Sequence, residues 1–369
     1  MATLALDATY TVDPQPSGIA VYSRKLIEAL ARLETRHRFL VCYRLSRLGR
    51  WREFLRPGPP ESSSGPGFSL CLFQEPLTFW LPWRAHLFHS LAQRPAPFRF
   101  TKEIVTIHDI FPLSGRDYST PEFQRKFSRL LLEAVARAAL VITPSEYTAE
   151  QLVRHAGLVR EKIRVIPEGV DLPDHWMTPE ERVLERERLV GKGNELVLSV
   201  GALQTRKNIV NSLRALELLP PRYRMILAGG DGHGSEAIHD FIRNGQLGSR
   251  VAVLGHVSAG RLDAMYQSAG VLLFPSLEEG FGLPVLEAMS HGLPVVASNA
   301  SSLPEVGGDA VLYADPHDVR EIADNVLRAV EDASLREQLI EKGVARARDF
   351  SWRRTAEATL RVYEEALSM

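Results

Sequence analysis

The chain has 369 residues, 45% of them hydrophobic and 24% charged. That length exceeds one ordinary domain and suits two, each able to bury its own core. Its 44 Lys and Arg nearly cancel 45 Asp and Glu, which excludes the global basic field of a nucleic-acid-binding protein. Two cysteines, Cys42 and Cys71, are too few for a disulfide scaffold and suit a reducing compartment. Met1–Asp7 has no basic start and meets an acid early, so it does not read as a signal peptide. No run of about 20 apolar residues is present to span a bilayer. The expected location is cytoplasmic, with peripheral contact to the inner face of a membrane left open.

Short apolar runs alternate with helical patterns along the whole chain. The first half offers Leu4–Thr9, Phe39–Tyr43, Phe68–Phe73, His86–His89, Ile104–Ile107, Leu140–Thr143 and Ile163–Ile166. The second offers Leu196–Val200, Met225–Ala228, Val251–Leu254, Val271–Phe274, Pro294–Ala297 and Val311–Tyr313. Such runs, flanked by Gly, Pro or Ser, read as buried parallel strands. Amphipathic segments such as Val21–Leu33 and Pro121–Ala138 lie between them. The alternation predicts an α/β protein of two Rossmann-like, doubly wound domains. A polar, Pro-punctuated stretch and a charged helix from Pro179 to about Val190 mark a linker near 170–195. Domain boundaries are expected at 1–172 and 173–352. Pro57–Gly67 reads as a loop by composition, and Trp352–Leu367 as an amphipathic helix.

The stretch Phe274–Gly292 is the most informative. An apolar strand ends at Pro275, and a loop with Gly280 and Gly282 follows. Pro284 stands where a helix can dispense with an N–H, and Gly292 where that helix should stop. A helix start around Leu283–Val285 faces free N–H groups and a positive dipole end outward, a ready site for phosphate. Glu279 in the loop and Glu287 in the helix are placed to accept hydrogen bonds from a sugar diol. Equally, acids near a helix start simply favour its dipole.

Gly201–Asn208 follows another strand and carries Arg206 and Lys207. Two adjacent cations at such a turn suit a diphosphate, or make an ordinary solvated basic turn. Ala228–Gly234 is glycine-rich, but Ser235 stands where a dinucleotide fingerprint needs its last Gly; it reads as a loop admitting close approach of a ligand. In the first half, Gly18 sits between a strand and a helix, where backbone can approach a phosphate or sugar. His108 closes a strand and can exchange a hydrogen bond with a sugar hydroxyl, or serve a structural role. His89 closes another strand and carries the same two readings. Ser145 reads as a helix cap.

With these residues in place, the sequence resembles the retaining group-1, or family-4, glycosyltransferases of the GT-B fold. The resemblance runs along nearly the whole chain and is most specific in the Glu-x7-Glu signature from Glu279 to Glu287, embedded in E-G-F-G-L-P-V-L-E-A. It implies two Rossmann-like domains facing a cleft, an acceptor-side N-terminal one and a donor-binding C-terminal one. It further implies that Glu287 binds the ribose, and that Glu279 with the backbone of Phe281, Gly282 and Leu283 binds the transferred sugar. Arg206, Lys207 and the helix start at Leu283, Pro284 and Val285 would hold the diphosphate. Gly18 and His108 would reach over from the N-terminal domain, and the final helix, 353–369, would cross back to it. The sequence departs from many members in having Ala202 where they carry Arg, which leaves the diphosphate charge largely to Arg206 and Lys207.

The resemblance implies transfer of a hexosyl group, with retention, from a nucleotide-diphosphate sugar to a glycan, lipid-linked or small-molecule acceptor. Somewhat mannosyltransferase-like features of the N-terminal half point to GDP-mannose beside UDP-sugars and to polysaccharide biosynthesis. Without an Asp-x-Asp motif or metal-ligand spacing of His and Cys, no metal and no cofactor is expected. The aromatic run Phe79–Arg84 reads either as buried packing or as a contact with a membrane holding a lipid-linked acceptor. Two other classes remain open. A nucleotide-sugar epimerase, or another GT-B enzyme, would turn over donor without acceptor. A non-catalytic nucleotide-sugar-binding module would not turn it over at all.

Overall fold

A computed structural model describes residues 1–13, 17–44, 67–73, 78, 80–114, 117–245 and 247–369. The expected loop 57–67 lies outside these residues apart from Gly67, as does Phe79 of the aromatic run. The chain divides into two compact units, one holding Met1–Ser114, Pro121–Gly169 and Ser351–Met369, the other Val170–Phe350 with the short stretch 117–120.

In the first unit the order is β1 (Thr3–Asp7), α1 (Gly18–Ala31), β2 (Arg38–Arg44), β3 (Phe68–Phe73), α2 (Leu81–Arg84), β4 (Leu87–Ser90), β5 (Glu103–Thr106), α3 (Pro121–Arg137), β6 (Leu140–Thr143), α4 (Glu146–Ala156) and β7 (Ile163–Val165). They form a seven-stranded parallel sheet in the order β3-β2-β1-β4-β5-β6-β7. The strands read as apolar runs because helices cover the sheet: Leu4 and Leu6 of β1 are fully buried against Tyr22, Leu26 and Leu30 of α1. Ser17 caps α1 by accepting from the Ala20 N–H, and Ser145 caps α4 by accepting from that of Thr148, each satisfying a donor the helix cannot. Cys42 and Cys71 face each other in the β2–β3 register as free, buried thiols.

In the second unit the order is α5 (Pro179–Val190), β8 (Glu195–Val200), α6 (Ile209–Leu218), β9 (Tyr223–Ala228), α7 (Ser235–Asn244), β10 (Val251–Gly255), α8 (Ala259–Ser268), β11 (Val271–Phe274), α9 (Leu283–Ser290), β12 (Val295–Ser298), α10 (Leu303–Gly307), β13 (Leu312–Ala314), α11 (Val319–Glu331) and α12 (Ala333–Ala347). A six-stranded parallel sheet runs β10-β9-β8-β11-β12-β13. Helix α5 starts on a capping box in which Thr178 and Glu181 serve each other's backbone N–H, with Pro179 in the first turn.

The last helix, α13 (Trp352–Ser368), belongs to the first unit. Its Trp352, Ala356, Val362, Tyr363 and Ala366 join the core of β1 and α1. Gly169 lets it seat: a Cβ there would stand 2.3 Å from the Trp352 backbone nitrogen. His89 lies within hydrogen-bonding distance of the Tyr363 hydroxyl, 2.7 Å, and of Thr106 Oγ1, 2.8 Å. Burial pushes its pKa down to about 3. His89 is thus a neutral structural histidine that ties α13 to the sheet. Among the described residues no helix is long and apolar enough to cross a membrane. Trp83 is exposed and Trp80 half-buried with Arg84 over its ring.

Candidate active site

Strand order decides where a ligand can sit. In the second unit β8 lies between β9 and β11, so the crossover connections diverge at β8 and β11. In an open parallel sheet the loops at the carboxyl ends of two such strands are where a ligand site forms. The loop after β8 carries Arg206 and Lys207, and the loop after β11 carries Glu279.

The two loops are joined directly. Leu277 N–H donates to the Arg206 carbonyl at 2.8 Å. The Asn208 side-chain amide donates to the carbonyls of Pro275, 3.0 Å, and Pro316, 2.7 Å. Asn208 can do so because it adopts φ 58, a left-handed conformation that Asn tolerates better than most residues. Ser302 Oγ donates to the carbonyls of Glu279 and Phe281 at 2.9 and 2.8 Å, and Ser301 Oγ accepts from the Glu279 N–H at 3.0 Å.

In this frame Glu279 Oε1 lies 2.6 Å from Lys207 Nζ and Oε2 lies 2.9 Å from Arg206 Nη1. All three side chains are largely withdrawn from water. Burial alone would raise the carboxyl's pKa, but Arg206 and Lys207 hold it down at about 2. Lys207 Nζ also stands 4.6 Å from the centre of the Phe274 ring, a cation–π contact that fixes the ammonium. The sequence placed these residues in separate motifs; the sheet makes them one cluster carrying two positive charges and one negative.

Helix α9 begins at Leu283, with Pro284 in its first turn and Gly282 in the left-handed region at φ 111. Pro284 has no N–H, and that of Val285 donates to the Gly282 carbonyl at 3.0 Å. Leu283 is therefore the member of the expected trio that presents a helix-start donor. Glu287, in the same helix, accepts a hydrogen bond from the Tyr266 hydroxyl at 2.8 Å. Burial, then the nearby Glu287 charge, pushes the Tyr266 pKa up, so it stays protonated and orients the carboxylate.

The loop Ala228–Gly234 packs against the loop that follows β8. A Cβ on Gly229 would stand 1.9 Å from the Gly201 carbonyl oxygen. Leu203 N–H donates to the Gly230 carbonyl at 2.8 Å, and Gly232 N–H donates back to Leu203 at 3.0 Å. Gly229 admits the neighbouring backbone, and Gly232 and Gly234 admit the side chains of Gln204 and Thr205, which supports the loop carrying Arg206 and Lys207.

Gly18 opens α1 in the first unit, and His108 follows β5 there. Nδ1 of His108 pairs with Glu168 and Nε2 with the Leu91 carbonyl, so both nitrogens are engaged. Sequence reasoning passed over Tyr266, Ser301, Ser302 and Glu168. None carries a local signal, because each acts on a partner distant in the chain. Asn208, inside a motif already noted, was readable as a left-handed helix cap.

Paired cations beside a helix start, at the switch point of a parallel sheet that lacks a dinucleotide fingerprint, suit the phosphates of a nucleoside diphosphate. A second parallel α/β unit accompanies this site. Residues 181–346 match the model of the family "Glycosyl transferases group 1", and residues 16–173 that of "Glycosyltransferase Family 4". O-antigen chain mannosyltransferase B of Escherichia coli is 34% identical over 274 residues, which is 73% of this chain and 71% of that protein. The serotype-specific mannosyltransferase WbdA of Escherichia coli is 29% identical over 280 residues, 72% of this chain but 34% of that longer protein. The crystal structure of Anabaena HepE in complex with UDP and glucose superposes with a TM-score of 0.77 at 20% identity, covering 99% of this chain and 100% of that one, a likeness of fold. The chain belongs to the group-1, family-4 glycosyltransferases and has their GT-B architecture of two parallel α/β domains.

Proposed function

We propose that this enzyme moves a hexosyl group from a nucleotide-diphosphate sugar to a glycan, lipid-linked or small-molecule acceptor, with retention of the anomeric configuration and without a bound metal. The observation that carries the reading is Glu279 bridging Arg206 and Lys207 where β8 and β11 meet. In this reading Glu287, oriented by Tyr266, accepts the ribose hydroxyls. Arg206, Lys207 and the Leu283 N–H hold the diphosphate, and fixed donors of that kind stabilise the charge that grows on the β-phosphate as the sugar departs. Glu279 and the backbone at Phe281 and Gly282 hold the sugar. The acceptor hydroxyl attacks from the leaving group's own face and passes its proton to a phosphate oxygen.

GDP-mannose is the first donor to test, because an O-antigen mannosyltransferase is among the relatives; UDP-sugars come second. The same relatives support a role in polysaccharide assembly, and our reading places it on the cytoplasmic side of a membrane. The test is incubation with GDP-mannose and UDP-hexoses over a panel of glycan, polyprenyl-linked and small-molecule acceptors, with proton NMR of the first product. Transfer with the donor's anomeric configuration is expected. An inverted product, or consumption of donor without transfer to any acceptor, overturns the proposal.

A further inference from the structure

We infer that Glu279 makes the site favour an intact nucleotide sugar over the spent nucleoside diphosphate, by holding Arg206 and Lys207 until a sugar's hydroxyls are present to take its carboxylate in exchange. The inference rests on the reading above and adds a function for the pairing of Glu279 with Arg206 and Lys207.

Both carboxylate oxygens of Glu279 are committed, one to each cation. The residue is 7% exposed and Lys207 9%, so water cannot stand in for a lost partner. The loop cannot carry the carboxylate away, because Ser301 and Ser302 pin the backbone of Glu279 on both its N–H and its carbonyl. Nor does the ammonium drift, being held over Phe274. Phosphate oxygens arriving at this turn therefore compete with the carboxylate for the charge of the same two cations. If they win, Glu279 becomes a buried anion beside another anion, which is costly unless new donors reach it. A carboxylate only accepts, and sugar hydroxyls donate. A nucleotide sugar brings both the phosphates that displace Glu279 and the hydroxyls that receive it. A nucleoside diphosphate brings only the first, so it binds against an uncompensated carboxylate and leaves readily after transfer.

The isosteric Glu279→Gln variant removes the charge and keeps the shape. GDP or UDP should then bind about tenfold more tightly than to the wild type, the scale of one charge-assisted hydrogen bond. GDP-mannose or UDP-glucose should gain much less, so the preference for the sugar-bearing ligand shrinks. Calorimetric titration of the full chain with GDP, GDP-mannose, UDP and UDP-glucose reads both quantities, and thermal unfolding checks that the variant is folded. If it is not, Glu279→Asp, whose shorter arm loosens the bridge, should move both quantities the same way by a smaller factor. Nucleoside diphosphate binding that weakens or stays unchanged overturns the inference, and so does an equal gain for both kinds of ligand. If the wild type binds none of the four, the functional reading itself falls and takes the inference with it.

Discussion

His108 and Glu168 form a buried pair 2.9 Å apart, with the other ring nitrogen of His108 3.0 Å from the Leu91 carbonyl. A carboxylate and a carbonyl both accept, so this geometry favours a proton on each nitrogen and hence the charged ring. Burial opposes that charge, but the Glu168 hydrogen bond and charge, the Leu91 carbonyl and Asp109 outweigh it and raise the pKa above 6.5. Tyr22, edge-on at 4.6 Å, has its phenol pushed up, and His89 has its pKa pushed down to about 3. Neither changes charge near neutrality. A folded pKa above the unfolded one contributes stability that is complete below the unfolded value of 6.5 and is lost as pH rises through the folded value. Thermal unfolding of the wild type and Glu168→Gln from about pH 5 to about pH 9 should show a gap that narrows as pH rises. Parallel curves would refute the charged pair.

Lys207→Ala should leave Glu279 with one cation and a diphosphate with one fewer. Hydrogen bonds to charged groups contribute about 1.5–3 kcal/mol, so a nucleoside diphosphate should bind roughly ten- to a hundredfold more weakly. Calorimetric titration measures it. Unchanged affinity would remove Lys207 from the diphosphate site.

Tyr266→Phe deletes the hydroxyl that donates to Glu287 Oε2 and keeps the ring. If Glu287 reads the ribose, the variant should bind a nucleoside diphosphate several-fold more weakly, as expected for a hydrogen bond to a charged group at about 1.5 kcal/mol. A 2′,3′-dideoxy nucleoside diphosphate should bind both proteins alike. Equal losses with both ligands would mean that Tyr266 supports only the fold.

Gly229→Ala should be poorly tolerated, because its Cβ would meet the Gly201 carbonyl oxygen at 1.9 Å, whereas Gly230→Ala meets nothing within 4 Å. The first should cost about 1–3 kcal/mol of stability as the backbone moves aside, and should weaken nucleotide binding by shifting the loop of Arg206 and Lys207. The second should do neither. Melting temperatures and titrations of the two variants compare directly, and equal behaviour would contradict the backbone contact.

Transfer should survive excess EDTA, since Arg206, Lys207 and the Leu283 N–H offer the positive field a metal would otherwise supply. Activity lost on chelation and restored by Mg²⁺ or Mn²⁺ would show that these groups do not suffice.

Much of this was open to reading in the chain itself. Strands such as Leu140–Thr143 and Val271–Phe274 were legible to the residue, because a parallel strand covered on both faces must be continuously apolar. The helix over Pro179–Val190 was equally legible, its Thr178–Glu181 cap being a local signal. Elsewhere the ends shifted: α1 begins at Gly18, ahead of the amphipathic run at Val21, because Ser17 caps it there.

By itself the sequence determined which segments become strands and helices, that the chain builds two parallel α/β units, and that Arg206, Lys207 and Glu279 lie in loops after strands while Glu287 lies in the helix that follows. Tertiary structure alone decided who pairs with whom. Arg206 meets Glu279 because β8 skips two strands to lie beside β11. Gly229 is a glycine for the sake of Gly201, His108 is biased toward its charged form by Glu168, and Glu287 is aimed by Tyr266. Local propensity acts over a few residues, but the partner of a buried charge is chosen by strand order and by the need to leave no buried polar group unpaired, and neither is written in any one stretch of chain.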